Sequence, residues 1–287
     1  MSTKKQMNAG RIKWGGIGMD IETRVHDAAW ERVLMARKLS RIRSLDIIGN
    51  IFESFVELHG DRGIGDDKSL VCGIALLEDQ PVTVIGQQKG NNRQEMEYRR
   101  YGMTKPEGYR KALRMMRQAE KFRRPILCFI DTPGAYPGVL AEEHGQAEAI
   151  ARNLYEMGSF TVPILAIIIG EGGSGGALAL AVANTVIMLE NAIYSVVSPE
   201  GCASILCKDA TKAPEMAEDL KLTAYELKSY GIIDRIISEE GETEDLFCRI
   251  KENIIAELSK YKQLNGEEIR NHRNVKFRSI GQNMEFY

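Results

Sequence analysis

The chain has 287 residues, 44% of them hydrophobic and 27% charged, and its 38 Lys and Arg nearly balance 40 Asp and Glu for a net charge of −2. That composition is ordinary for a soluble enzyme with a sizeable core. Its five cysteines include no Cys-x-x-Cys pair, so neither a disulfide framework nor a zinc ribbon is indicated and no metal is expected; without a bilayer-length apolar run or an apolar segment after Met1, a cytoplasmic protein with no membrane partner is expected.

Residues 1–20 carry Gly10, Gly15, Gly16 and Gly18 with no apolar period, which predicts a flexible arm. The charged, helix-prone run from Ile21 to Arg43 has a thin apolar stripe (Val25, Ala29, Val33, Ala36, Leu39), so an N-terminal helix over 21–45 lies on another surface. Asp46 opens a second helix, with Ile47, Ile48, Ile51, Phe52, Phe55, Val56 and Leu58 on a broad apolar face that ends before Gly60. Strand signals follow at Val71–Leu77, Val82–Ile85, Ile126–Ile130, Ile164–Ile169, Val186–Leu189 and Ile193–Val197. Between them stand helices at Glu107–Phe122, Glu142–Met157 and Gly176–Ala183, one opening at Pro199, and a last one at Glu244–Tyr261. Such alternation argues for an α/β domain over 46–265 with a largely parallel sheet, followed by a polar tail over 266–287.

Charge is unevenly spread. Between Lys89 and Arg124 twelve Lys and Arg stand against four Glu, which leaves an acidic remainder. A polyanionic ligand fits this segment, and the lack of recognition motifs and stacking aromatics favours a phosphorylated small molecule over nucleic acid. Arg110, Arg114, Arg117 and Lys121 recur at helical spacing as a basic stripe suited to coenzyme A phosphates.

The segment Gly170-Glu171-Gly172-Gly173-Ser174-Gly175-Gly176 places five glycines in seven residues between a buried-strand signal and a small-residue helix. By letters it fits a dinucleotide fingerprint with Glu190 as the ribose acid, a nucleophile elbow on Ser174, or an oxyanion hole made by the Gly175 and Gly176 amides. A second special turn, Thr132-Pro133-Gly134-Ala135-Tyr136-Pro137-Gly138, also ends an apolar strand, and both turns could face one pocket. The elbow reading lacks a histidine, since only His272 follows Ser174 and His144 stands at a helix start. Two amide-rich turns with no triad and no metal set suit chemistry that passes through an enolate.

Four runs, Gly108–Arg114, Phe129–Gly138, Gly170–Leu178 and Tyr194–Leu206, together closely resemble the carboxyltransferase α subunit of multi-subunit acetyl-CoA carboxylase, over roughly residues 29–239. The resemblance implies a crotonase-like superhelix of ββα units with an N-terminal helical extension. It implies transfer of a carboxyl group from carboxybiotin, on a biotin carboxyl carrier protein, to acetyl-CoA, giving malonyl-CoA for fatty acid synthesis. The implied partners are a β subunit in an α2β2 assembly, the carrier protein and biotin carboxylase, with the zinc ribbon on β. By motif match Gly175 and Gly176, with Gly134 and Ala135, take the catalytic amide roles, and Gly172, Gly173, Tyr136, Arg110 and Arg114 line the cofactor and substrate site. Ser198-Pro199-Glu200 reads equally as a helix start or as an acid/base, so an enoyl-CoA hydratase or isomerase using Glu200 is the alternative.

Overall fold

The computed structural model describes residues 21–282, so the arm expected at 1–20 lies outside the described residues. Helix α1 (Ile21–Arg37) ends before the expected Arg43, and the connector Lys38–Arg43 leads into α2 (Ser44–Ile51). The helix expected to reach Gly60 stops at Ile51, with Ile47, Ile48 and Ile51 facing the core. Phe52 is already extended, and Ser54–Glu57 becomes the edge strand β1. A β-branched and aromatic tetrapeptide next to an open sheet edge gains ladder hydrogen bonds that helix propensity cannot match.

Strands β2 (Leu70–Leu77) and β3 (Gln80–Gln87) form a hairpin through Glu78 and Asp79, both at positive φ, the signature of a tight two-residue turn. Then come α3 (Arg93–Tyr98), α4 (Pro106–Phe122), β4 (Ile126–Thr132), α5 (Val139–Glu143), α6 (Gln146–Met157) and β5 (Ile164–Gly173). The expected helix Glu142–Met157 is thus broken in two, at Gly145 with φ 83°. After the short α7 (Ser174–Leu178) follow β6 (Thr185–Leu189), β7 (Ile193–Ser195), α8 (Pro199–Leu206), α9 (Ala213–Asp219), α10 (Ala224–Ser229), β8 (Arg235–Ile237) and α11 (Thr243–Tyr261).

The sheet runs β1-β2-β3-β4-β5-β6-β8, antiparallel among the first three and parallel from β3 onward, while β7 pairs with the far end of β5. Strand β4 is buried along its whole length, and β5 along all but its last residue, which is why they read as unbroken apolar runs. Their pairing is regular to Ile130 opposite Ile168, then jumps to Thr132 opposite Gly172. This bulge holds the Asp131 carboxylate, whose Oδ1 accepts the Glu171 N–H at 3.0 Å; any side chain at Gly170 would strike it at 2.4 Å.

The expected tail is instead helix α12 (Gly266–Ser279), started by an Asn265–Glu268 capping box. Its polarity hides two anchors, Ile269 and the fully buried Arg273. Arg273 donates to the carbonyls of Met157, Phe160 and Val162 at 2.6, 2.8 and 2.9 Å, satisfying the open end of α6. Burial lowers its guanidinium to about 10, still charged at neutral pH.

Candidate functional site

The two glycine turns meet. A Cβ at Gly173 would lie 2.2 Å from Pro133 O, and one at Gly176 would lie 2.5 Å from Ala135 N and 2.7 Å from Gly134 C. Only bare backbone allows this approach. Ser174, Gly175 and Gly176 open α7, so their N–H groups have no intrahelical acceptor. Across from them, Gly134 N–H is already given to Thr132 Oγ1 at 3.1 Å and Tyr136 N–H to Thr104 O at 3.0 Å, while no acceptor among the described residues reaches the Ala135 N–H. Of the two donors expected in the second turn, Ala135 is therefore the open one.

The carbonyl of Gly176 fixes the turn from behind. Buried Gln87 donates to it through Nε2 at 3.0 Å and Tyr109 through its hydroxyl at 3.2 Å. Burial raises the Tyr109 hydroxyl well above its ordinary value, so it stays a neutral donor. In front, a cavity of about 330 Å³ opens beside Ser174 and Gly175, walled by Leu178, Tyr194, Val196, Leu220 and Ile232. Gly172 makes room for that wall, since a Cβ there would meet the Tyr194 ring at 2.8 Å. Tyr136 lies on the second turn with Lys105 Nζ 5.4 Å and Arg100 Cζ 5.9 Å from its ring centroid.

Other readings lose their partners. Ser174 is exposed at φ 51°, yet no histidine among the described residues bonds to it: His144 Nδ1 meets Glu107, and His272 on α12 lies against Tyr261 on α11. Glu190 accepts from Tyr225 at 2.8 Å and from Ser238 at 3.2 Å, so it braces a loop and faces no ribose. Glu200 takes a bidentate pair from Arg37 at 2.6 and 3.2 Å. Burial pushes its carboxyl up, but the Arg37 hydrogen bonds and charge outweigh this and hold it below the ordinary range.

Three of the four cations of the basic stripe on α4 are engaged within the chain. Arg110 donates to Asp61 at 2.9 Å and to His144 O at 2.8 Å, and Arg114 donates to the carbonyls of Gly60 and His59, each at 3.1 Å. Arg117 pairs with Glu156, and buried Lys111 reaches Asp66 at 2.6 Å. These cations hold the 59–67 loop and α6, so Arg110 and Arg114 are each engaged within the chain.

Sequence reading missed the charges beneath the turns: Asp131 and Glu171 in β4 and β5, with Lys89, Arg37 and Arg43. A signal was present. A carboxylate inside a fully apolar buried strand requires a cation from elsewhere, and Arg37, Arg41 and Arg43 crowd one short connector. Asp131 is completely buried, and although burial raises its carboxyl, Lys89 and Arg43 hold it well below the ordinary range. Among the described residues no three His, Cys, Asp or Glu side chains converge as a metal set, and no helix is long and apolar enough to cross a membrane.

Paired glycine turns at the ends of β4 and β5, on a sheet built from a ββα hairpin unit and parallel crossovers, define a crotonase-like fold. The same fold occurs in the transcarboxylase 12S core solved with methylmalonyl-coenzyme A and methylmalonic acid (TM-score 0.65, 21% identity, 79% of this chain and 42% of that one). It also occurs in the β subunit of Pseudomonas aeruginosa geranyl-CoA carboxylase (TM-score 0.60, 17% identity, 83% and 44% of the two chains). Residues 21–281 match the family described as acetyl co-enzyme A carboxylase carboxyltransferase-like. The acetyl-coenzyme A carboxylase carboxyl transferase subunit alpha of Staphylococcus epidermidis is 52% identical over 89% of this chain and 83% of its own length. That of Staphylococcus carnosus is 53% identical over 90% and 84%. A Clostridium tetani protein named as subunits beta/alpha is 54% identical over 88% of this chain and 45% of its own length. The chain belongs to the acetyl-CoA carboxylase carboxyltransferase α-subunit family.

Proposed function

We propose that the chain is the α half of a carboxyltransferase that moves a carboxyl group from carboxybiotin, carried on a biotin carboxyl carrier protein, to acetyl-CoA, giving malonyl-CoA for fatty acid synthesis. The observation that carries this reading is the backbone contact between Gly173–Gly176 and Pro133–Ala135, which leaves amide donors beside an apolar cavity. Carboxybiotin, when bound, supplies the carboxyl group and afterwards a ring nitrogen that can take the acetyl methyl proton.

The chain's own residues do the rest. The Gly175 and Gly176 amides, with Ala135 N–H opposite, donate hydrogen bonds to a ureido or enolate oxygen as its negative charge develops, a contribution of about 3–4 kcal/mol per well-placed donor. Gln87 and Tyr109 hold α7 by its Gly176 carbonyl, so the donors do not need to reorganise. Leu178, Tyr194 and Val196 give the cavity an apolar lining, which favours the same interactions where water is displaced. No side-chain base is required of this chain.

The second half of the site belongs to a β subunit, in an α2β2 assembly supplied by biotin carboxylase through the carrier. The relative named as subunits beta/alpha supports this pairing. A cytoplasmic location fits such an assembly. The hydratase alternative needs a free Glu200, and its engagement by Arg37 speaks against it. Purified alone, the chain should neither form malonyl-CoA nor hydrate crotonyl-CoA. Adding a β-type chain with a four-cysteine zinc ribbon should restore carboxyl transfer; malonyl-CoA formation without it, or crotonyl-CoA hydration, would overturn the proposal.

A further inference from the structure

Six charged side chains form an unbroken line under the glycine turn. Glu200 on α8 takes the Arg37 pair, and Arg37 Nε reaches Glu171 Oε1 at 2.7 Å. The other Glu171 oxygen meets Lys89 Nζ, which stands 3.2 Å from Asp131 Oδ1. Asp131 Oδ2 ends the line on Arg43 Nη1 at 2.6 Å. Three anions alternate with three cations, so the line is neutral, and four consecutive members, Glu171, Lys89, Asp131 and Arg43, are buried. Removing one member leaves a neighbour charged and unpaired, which makes every link sensitive.

The anions and cations come from different places. Asp131 precedes the Thr132–Ala135 turn, Glu171 lies in the glycine run, and Glu200 follows the Tyr194–Val196 wall of the cavity. Arg37 ends α1, Arg43 precedes α2, and Lys89 follows β3. Helix α1 does not need this line to stay docked, because Ala29, Val33 and Ala36 pack on Ile193, Ala217 and Leu222. What the line fixes is the turn. Between Gly170 and Gly176 only Glu171 and Ser174 have side chains, and Ser174 is exposed. Glu171 is therefore the one buried side-chain anchor of the run that carries the amide donors.

We propose that Arg37 and Glu200 are positioning residues for carboxyl transfer, acting through Glu171 to set the orientation of the Gly175 and Gly176 amides. This rests on the carboxyltransferase reading of the site, but the coupling of Arg37 to the turn backbone is measurable without turnover. Arg37 is 29% exposed along its side chain and Glu200 40%, so both can be changed with less risk to folding than Asp131 or Lys89.

The test uses the full chain with its β partner and the variants Arg37→Met, Arg37→Lys, Glu200→Gln and Arg37→Met/Glu200→Gln. Each of Arg37→Met and Glu200→Gln should lower kcat roughly tenfold, the scale of a sub-ångström misplacement, with the KM for acetyl-CoA within about twofold. The double variant should be no worse than the poorer single, because both act through one link. Arg37→Lys should recover most of the Arg37→Met loss. Hydrogen exchange in peptides spanning Gly170–Leu178 should quicken in Arg37→Met while peptides from β4 keep their protection. Additive kcat losses, loss of one limb of the kcat–pH profile in Glu200→Gln alone, or unchanged exchange in the turn would overturn the proposal. Faster exchange in Arg37→Met beside a wild-type complex that transfers no carboxyl group would sustain the coupling and sink the reaction instead.

Discussion

Replacing Gly176 by Ala tests the site with one methyl group. A Cβ there would stand 2.5 Å from Ala135 N, 2.7 Å from Gly134 C and 3.0 Å from the Tyr109 oxygen, so two of three neighbours are backbone and cannot swing aside. Relief to ordinary contact requires the turns to part by roughly 1 Å, and a displacement of that size at a positioned donor costs about a hundredfold in rate. The neighbouring Gly175→Ala is the control, because its Cβ would meet only Ile150 Cγ2 at 3.8 Å. In a reconstituted αβ complex assayed for carboxyl transfer to acetyl-CoA, Gly176→Ala should lose about a hundredfold in kcat and Gly175→Ala less than about threefold. A Gly176→Ala complex that assembles and turns over within about threefold of the parent would refute the amide assignment.

Asp131→Asn leaves Arg43 and Lys89 facing a neutral group in a dry interior and should cost roughly 3–5 kcal/mol in urea unfolding; a loss under about 1 kcal/mol would show the pair to be dispensable. Because the Asp131 carboxyl is held low in the folded chain, its stabilisation is complete above the unfolded carboxylate value and disappears as pH falls through the folded one. Stability should thus stay level from about pH 8 to about pH 5 and fall below about pH 4 in the parent, with a weaker acid dependence in Asp131→Asn. Arg273→Leu strips three carbonyls of their donor and should cost about 3 kcal/mol or more, whereas a solvated tail would give no change in melting. Arg110→Ala and Arg114→Ala should lower the melting temperature while leaving the KM for acetyl-CoA within about threefold; a tenfold rise would return them to phosphate binding.

The strands that form the centre of the sheet were legible because burial on both faces demands continuous apolar runs, as in Ile164–Ile169. The break between α2 and β1 was not, since Phe55 and Val56 continue the apolar pattern of Ile47 and Ile51 and only the open edge of β2 decides their conformation. Helix α12 was hidden for the opposite reason: its main anchor is an arginine, and polarity at that position looks like solvent exposure until the carbonyls it meets are known. The glycine turns announced themselves through composition. Their contact did not, because Pro133 and Gly173 are forty residues apart. The spacing of the basic stripe on α4 did not disclose that Arg110 and Arg117 meet acids on the 59–67 loop and α6.

Arg273 also imposes an order in time. A chain emerges from its N-terminus, so β4, α6 and β5 can collapse while the carbonyls of Met157, Phe160 and Val162 still lack their donor. The last turn of α6 and the strand entry after it must stay hydrated until α12 has been synthesised and docks. A chain cut short of residue 273 would therefore leave that end of α6 without its donor.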